Sequence, residues 1–237
     1  KATTSFPLEF LIIRTLSVRG ALGPVTVWRT PGTFQGKHER PDEWTNIYRG
    51  VHPPSMREFQ ELRLNQTIML TPGESTGIYI HSALQNDKGI VYDNKRGSQG
   101  SDKTLYISSA IAHTSCVPFS QHGYWGGGWA WRDRRQFVGE INYGVKFLLW
   151  QPSDSINARF PLVFQTGVQT MLQNVQDFRF ARLPEHVVWY IINMLPFDWI
   201  VERDGGRGSG DGRAAAYVFA QRVRRSISCR SRSCVIA

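Results

Sequence analysis

The run RQFVGEINYGVKFLLW (residues 135–150) carries the strongest strand pattern in the chain. Its large apolar residues fall mostly at alternating positions, namely Phe137, Ile141, Tyr143, Val145 and Phe147. Because successive side chains of a strand point to opposite faces of a sheet, this alternation predicts a strand with one buried face. Similar runs, separated by turn residues, lie at 8–18, 25–30, 62–84, 89–94 and 105–113.

The spacing of these runs predicts how they pair. The stretch 62–84 looks like two strands around Thr71-Pro-Gly-Glu, with Pro and Gly at the central turn positions. The stretch 31–44 is rich in Pro, Gly and charge and is predicted as a long loop. About eight strands with no long helix between them predict a mainly β fold, an antiparallel β-sandwich or jelly roll over residues 1–152.

The periodicity becomes helical after residue 152. Apolar residues recur at helical spacing in two segments, as Phe164, Val168, Met171, Leu172 and Val175, and as Val187, Val188, Ile191, Ile192 and Leu195. Pro184 suits the first turn of the second helix, which should end before Pro196. We expect a small helical hairpin over residues 153–200, followed by a disordered basic tail over residues 201–237.

The net charge of the 237 residues is +9, and most of it lies in the tail. Residues 201–237 hold eight arginines against three acidic residues, which leaves +4 for the remaining 200. A domain that binds nucleic acid concentrates charge on its folded body, so we expect no specific nucleic-acid partner. A charged tail instead favours an anionic membrane surface or a nonspecific polyanion.

Catalytic motifs are absent from the sequence: there is no P-loop, dinucleotide fingerprint, nucleophile elbow or paired-carboxylate motif. Three residues close in sequence, His113, Cys116 and His122, have the residue types of a Cys–His nucleophile pair or a partial metal site. No second ligand pair of suitable spacing follows, and Cys116 follows an apolar strand, as a buried structural thiol does. We therefore predict no enzymatic activity, no cofactor and no metal site.

The stretch FSQHGYWGGGWAWRDRR (residues 119–135, the Trp/Gly loop) combines aromatic residues, three successive glycines and arginines. Exposed aromatics on a loop of a sandwich can anchor a protein partner or stack on a sugar. The candidate ligand-binding residues are Tyr124, Trp125, Trp129, Trp131 and Arg132. The alternative is that Trp129 and Trp131 cap the end of the core.

The segments VTVWRTPGTFQG, LTPGESTGIYI and WAWRDRRQFVGEINYGVKFLLWQP resemble an uncharacterised β-sandwich module of single-celled eukaryotes. Their layout is also broadly similar to that of the PHR domain of ubiquitin-ligase substrate adaptors. The resemblance covers residues 5–152 and rests on turn and core positions. It implies a sandwich that recognises a partner, and it supplies no catalytic residues.

The helical segment resembles the short adaptor helices of F-box and SOCS-box proteins, which dock on a ligase scaffold subunit. The matching adaptor-helix residues are Leu183, Pro184, Val187, Val188, Ile191, Ile192 and Leu195. The leading L-C motif of the SOCS box is absent, since Thr170-Met-Leu-Gln stands in the comparable helix. The alternative is a helical pair that only packs on its own protein.

The last four residues, Cys234-Val-Ile-Ala, fit the prenylation rule, and the terminal Ala suggests farnesyl. Stable membrane anchoring needs a second signal. Cys229 offers palmitoylation, and Arg222, Arg224, Arg225, Arg230 and Arg232 offer contact with anionic lipid. The alternative is that the match is accidental.

Together these features predict a non-enzymatic binding or adaptor protein that is cytoplasmic, with a peripheral membrane location if it is prenylated. The three cysteines fit a reducing compartment. One alternative is a ubiquitin-ligase substrate adaptor. Another is a secreted carbohydrate-binding module, in which the Asn65-Gln-Thr sequon would be glycosylated.

Overall fold

The structure is a computed structural model that describes residues 1–3, 7–85, 87–94, 100–102, 104–123, 128–177 and 184–195. These residues group into two compact units, which meet in sequence between Lys146 and Phe147. The first unit is made of strands. The second contains the helices and also includes Pro7.

The described residues of the first unit form nine strands in three sheets. Their bounds are β1 Leu8–Gly20, β2 Gly23–Pro31, β3 Thr45–His52, β4 Ser55–Leu70, β5 Thr76–Ser82, β6 Tyr92–Asp93, β7 Ala110–His113, β8 Trp131–Phe137 and β9 Gly139–Phe147. The strand orders are β4-β1-β9, β3-β2-β5 and β6-β8-β7. Strand β1 is antiparallel to β4, β2 to both β3 and β5, and β8 to both β6 and β7. The predicted fold class, mainly antiparallel β with short helices afterwards, is confirmed.

One core is shared by the three sheets. Leu16 of β1, Val27 of β2, Tyr79 of β5 and Phe137 of β8 all belong to the same buried cluster. Burying an aliphatic or aromatic side chain of this size contributes about 1.5–3 kcal/mol. The packing of side chains from several sheets against each other makes the unit sandwich-like.

The turn between β4 and β5 has the predicted form. Gly73 has a φ of 83°, and the backbone N–H of Glu74 donates to the carbonyl of Thr71 at 3.0 Å. Proline followed by a residue with positive φ at the two central positions is typical of a type II turn. The Glu74 carboxylate accepts from the N–H and hydroxyl of Thr71, which lowers the pKa of Glu74.

The run 135–150 forms two strands where the sequence predicts one. Strand β8 ends at Phe137 and β9 begins at Gly139. A Cβ atom at Gly139 would overlap the carbonyl oxygen of Ser17 and the ring of Phe137, so the chain changes strand where only glycine fits. On β9, Ile141 and Tyr143 are buried as predicted, whereas Phe147 is exposed.

Two further elements differ from the sequence prediction. Strand β3, Thr45–His52, was not predicted, because only Ile47 on it is buried. An edge strand with one buried side chain lacks the alternation that marks a half-buried strand. The predicted loop 31–44 contains a short 3-10 helix at Pro41–Glu43.

In the second unit the part of the chain that the structure describes forms three helices, α1 Asp154–Asn157, α2 Leu162–Asp177 and α3 Glu185–Met194. Helices α2 and α3 fall where the apolar spacing predicts them. Pro184 is the residue before the first helical turn, and α1 lies near the start of the segment predicted as a helical hairpin, ahead of its apolar repeats. The core of the unit consists of Trp150, Phe160, Phe164, Val168, Val188 and Ile192.

Asn193 joins α3 to the segment before α1. Its Oδ1 accepts from the N–H of Trp150 at 2.6 Å, and its Nδ2 donates to the carbonyl of Trp150 at 3.0 Å. One side chain thus satisfies both backbone groups of a residue that is itself buried. Among the helices that the structure describes, none is both long and apolar enough to cross a membrane.

Candidate binding surface on the Trp/Gly loop

Two short antiparallel arms form the described part of the Trp/Gly loop. The N–H of Gly123 donates to the carbonyl of Gly128 at 2.9 Å, and the N–H of Ala130 donates to the carbonyl of Gln121 at 3.0 Å. At the base, the N–H and the hydroxyl of Thr114 both donate to the carbonyl of Ala130, at 2.9 and 3.0 Å. These bonds fix the backbone on which Trp129 is carried.

The structure separates the two tryptophans that the sequence places side by side. Trp129 is 60% exposed, whereas Trp131 is 5% exposed. Trp129 forms an antiparallel bridge with the exposed residue His122 on the other arm. Residues directly opposite each other on two arms have neighbouring side chains, so the pair forms one exposed aromatic patch. Of the predicted binding residues, Tyr124 and Trp125 lie outside the described residues.

Trp131 belongs to a group of aromatic rings around Tyr79. The centroid of Tyr79 is 5.5 Å from Trp131, 4.9 Å from Phe119 and 5.2 Å from Trp28. The Trp44 ring packs edge-on against Tyr79 at 6.0 Å. Aromatic pairs at these distances contribute about 0.5–1.5 kcal/mol each beyond the area they bury. Trp131 thus serves the core, as the capping alternative predicts, while Trp129 does not.

His113 connects this aromatic group to the start of the Trp/Gly loop. Its Nε2 lies 2.9 Å from the carbonyl oxygen of Ser120, and its Nδ1 lies 2.8 Å from the hydroxyl of Tyr79. A carbonyl oxygen only accepts, so Nε2 carries the proton and Nδ1 accepts from Tyr79. The pKa of His113 is lowered to about 4, mainly by burial and to a smaller extent by the neighbouring His81 and His38. The ring is therefore neutral at physiological pH.

A second histidine anchors the same segment. His81 is buried, and its Nε2 donates to the carbonyl of Ser115 at 2.9 Å. Burial lowers the pKa of His81 as well. The two histidines thus hold residues 115–120 at both ends, and Cys116, which lies between them, is half-buried rather than buried as expected.

This geometry is unlike that of a nucleophile and its base. Both ring nitrogens of His113 are already bonded, to Tyr79 and to Ser120, so no nitrogen is free to take a proton from Cys116. Within the described part of the chain, no three His, Cys, Asp or Glu side chains lie close enough to hold a metal ion.

Arg132 is bonded within a local polar network. Its guanidinium lies 3.4 Å from the hydroxyl of Tyr92 and 3.7 Å from the carboxylate of Asp87. Asp87 also accepts from Tyr92 at 2.8 Å, and burial raises the pKa of the Asp87 carboxyl. Arg132 is thus engaged in a local network, although the sequence predicts it as a ligand contact.

The Trp/Gly loop is also tied to the predicted loop 31–44. The Nε2 of Gln121 donates to one carboxylate oxygen of Glu39 at 3.0 Å, across 82 residues of sequence. The ring of His38 packs edge-on against Trp131, with the centroids 5.1 Å apart. Sequence reasoning missed the pairing of Glu39 with Gln121, because no local pattern links two residues that are 82 positions apart.

The pockets beside these residues are small. One of about 50 Å³ is lined by His81, His113, Asp87 and Tyr92, and another of about 70 Å³ by Phe34, Ile78 and neighbouring residues. Sites that enclose a drug-sized molecule have volumes of about 300–1,000 Å³. An extended surface therefore suits the loop better than an enclosed ligand does.

In the second unit, the predicted adaptor residues divide between core and surface. Val188 and Ile192 are buried, and Val187, Ile191 and Leu195 are half-buried. Pro184 is exposed, and Leu183 lies outside the described residues. The lipidation residues Cys229 and Cys234 and the five tail arginines also lie outside them.

No protein-family model, curated protein or solved structure matches the chain. Its function therefore has to be inferred from its own residues and their geometry.

Proposed function

We propose that this chain is a non-enzymatic binding protein that recognises a protein partner through the Trp129–His122 patch. The observation that supports this most is the 60% exposure of Trp129 on a loop whose arms and base are hydrogen-bonded. Tryptophan is among the residues that carry most binding energy at protein interfaces. An exposed indole on a hydrogen-bonded support offers a partner a large apolar surface that is already in position.

The rigidity of the support strengthens this proposal. The loop is held by His113 at its start and by Glu39 through Gln121, and His81 holds the segment that leads into it. A side chain that is already positioned loses less conformational entropy when it binds. The patch is therefore suited to anchor a protein–protein interface of standard size.

The test compares Trp129→Ala with Tyr106→Ala, a matched loss of an exposed aromatic ring elsewhere in the same unit. Each tagged chain is used to capture partners from extract of its native cells, and a captured partner is then titrated in purified form. Removing a hot-spot side chain costs at least about 2 kcal/mol, so Trp129→Ala should weaken the complex roughly thirtyfold. Equal affinities for the two variants would contradict the proposal.

Glu39 favours a second candidate, the carbohydrate-binding module. Its carboxylate, in the segment 31–44, accepts at 3.0 Å from the amide of Gln121 on the loop that carries Trp129. An exposed indole with a carboxylate and an amide on the same face of the protein can stack on a sugar ring and bond its hydroxyls. A glycan array probed with wild type and Trp129→Ala distinguishes this candidate, since glycan binding that depends on Trp129 would favour it.

For the helical unit we propose internal packing as the main role of the predicted adaptor residues. Val188 and Ile192 pack against Phe164 and Val168, and are therefore not free for a scaffold subunit. A ligase adaptor would instead use the half-buried residues Val187 and Ile191. Co-purification of a cullin-scaffold subunit that is lost in Val187→Ala/Ile191→Ala would favour the adaptor function.

For the tail we propose farnesylation of Cys234, assisted by palmitoylation of Cys229 and the tail arginines, which gives a peripheral membrane location. The test is the intact mass and membrane fractionation of the chain expressed in a eukaryotic cell, beside Cys234→Ser. A farnesyl-sized gain with loss of Val-Ile-Ala, and membrane retention of the unchanged chain alone, would support it. An unmodified, soluble wild type would make the motif accidental.

A further inference from the structure

The link between β3 and β4 forms a corner that exposes apolar side chains. β3 ends at His52 and β4 begins at Ser55, so only Pro53 and Pro54 join two strands that belong to different sheets. Neither proline offers a backbone N–H, and both are exposed. We refer to residues 51–59 as the 51–59 corner.

A large bulge pushes part of this corner out of the β-ladder. Val18 and Gly20 of β1 pair with Gln60 and Ser55 of β4, so a single residue of β1 faces residues 56–59. The hydroxyl of Ser55 donates to the carbonyl of Glu58 at 2.7 Å and closes the bulge on itself. Bulges redirect side chains away from the regular sheet surface. We therefore infer that the corner projects from the regular sheet surface.

The projection is apolar at its surface. Val51 is 78% exposed, Met56 57% and Phe59 39%, and Pro53 and Pro54 are exposed between them. Isolated exposed apolar residues are common on proteins. Five of them within nine consecutive residues form a patch, and such patches mark contact surfaces.

Arginines surround these apolar side chains. Arg49 and Arg57 are exposed, and the guanidinium of Arg19 lies 5.7 Å from the ring centroid of Phe59. Glu58 is the only acidic residue between positions 49 and 59. Arg57 and Glu58 cancel within the corner itself, so the positive balance around its apolar surface comes from the adjacent Arg19 and Arg49.

We propose that the 51–59 corner inserts shallowly into an anionic lipid surface. Apolar side chains flanked by arginines match the two layers of such a surface, acyl chains below and negative headgroups above. A projection suits a fluid interface, which yields around it, better than a peptide, which docks in a groove or along a strand edge. The proposal concerns a different surface from the Trp/Gly loop and does not depend on the lipid modification of the tail.

The test is co-sedimentation of the full chain, produced in bacteria and so unprenylated, with phosphatidylcholine vesicles with and without phosphatidylserine. The tested variant is Val51→Asp/Met56→Asp. The control is Met69→Asp, which changes a methionine of similar exposure, 53%, on the same strand. The basic tail is the same in every chain, so the difference between variants isolates the corner.

We expect the double variant to bind anionic vesicles roughly tenfold more weakly than wild type, because two apolar side chains no longer enter the interface. Met69→Asp should bind like wild type. Arg57→Glu should also weaken binding to anionic vesicles, by at least about fivefold, and leave binding to neutral vesicles unchanged.

Three results would overturn the proposal: no vesicle binding by wild type, equal binding by wild type and the double variant, or an equal loss in Met69→Asp. If wild type binds no vesicles but captures a protein that the double variant does not capture, the corner is assigned to a protein partner instead. If the double variant unfolds, the single change Met56→Ser replaces it, with the same expected direction. Capture of partners by Trp129 is measured separately, so failure here leaves the proposed function standing.

Discussion

Protonation of His113 should make the stability of the strand unit depend on pH. The His113 ring is neutral in the fold, bonded to Tyr79 and Ser120, with a pKa of about 4 against an unfolded value of 6.5. Below the unfolded value, the unfolded chain binds the proton more readily than the fold does, so stability falls as the pH falls. Above about pH 7 this site lowers the free energy of unfolding by nothing, and its full destabilising effect is reached only below about pH 4.

The size of the effect follows from the shift in pKa. Between about pH 7 and pH 5, the single site should cost about 2 kcal/mol of unfolding free energy. His81, whose pKa is lowered in the same direction, adds to the loss in wild type. The measurement is urea denaturation of the whole chain at both pH values, followed by tryptophan fluorescence, which reports on the rings around Tyr79.

The decisive comparison is with His113→Gln. Glutamine does not titrate, so the difference between the two pH values should shrink by about 2 kcal/mol, even though the variant is less stable at both. His122→Gln, which removes an exposed histidine from the Trp/Gly loop, is the control. If His113→Gln retains the full pH difference of wild type, then burial of His113 is not the cause and the reasoning is refuted.

Three substitutions test other parts of the structure. Asn193→Ala removes the bonds to both backbone groups of Trp150 and should destabilise the helical unit by about 1–3 kcal/mol. Hydrogen exchange of the α3 amides measures this loss, and unchanged protection of those amides would contradict it. Arg134 has a φ of 56° at an irregularity of the β7–β8 ladder. Glycine adopts a positive φ without strain, so Arg134→Gly should raise the urea midpoint by the equivalent of about 0.5–1 kcal/mol. A lower midpoint would count against backbone strain at this position. Gly20→Ala would bring a Cβ atom against the carbonyl oxygen of Gly89 and should lower the unfolding free energy by about 1–3 kcal/mol in the same assay. A urea midpoint equal to that of wild type would argue against so close an approach.

Local patterns predicted most of the elements. The turn at Thr71–Glu74 and helix α3 depend on residues within a few positions of each other, and both were placed correctly. A turn type is set by the φ values that its central residues can adopt, and a helix by the spacing of its apolar face. The edge strand β3 was missed because it buries only Ile47. The two strands within 135–150 were predicted as one because the alternation of apolar residues continues past Gly139.

The candidate site was decided by contacts between residues far apart in sequence. His113 meets Tyr79 across 34 residues, and Gln121 meets Glu39 across 82. Trp129 and Trp131 are two positions apart and would share a face in a regular strand, yet Trp131 lies under rings from other strands and Trp129 in solvent. By itself the sequence determined the residue types, the periods and the turns. Only the tertiary structure decided which tryptophan is free to bind, because burial depends on which neighbouring elements cover a face.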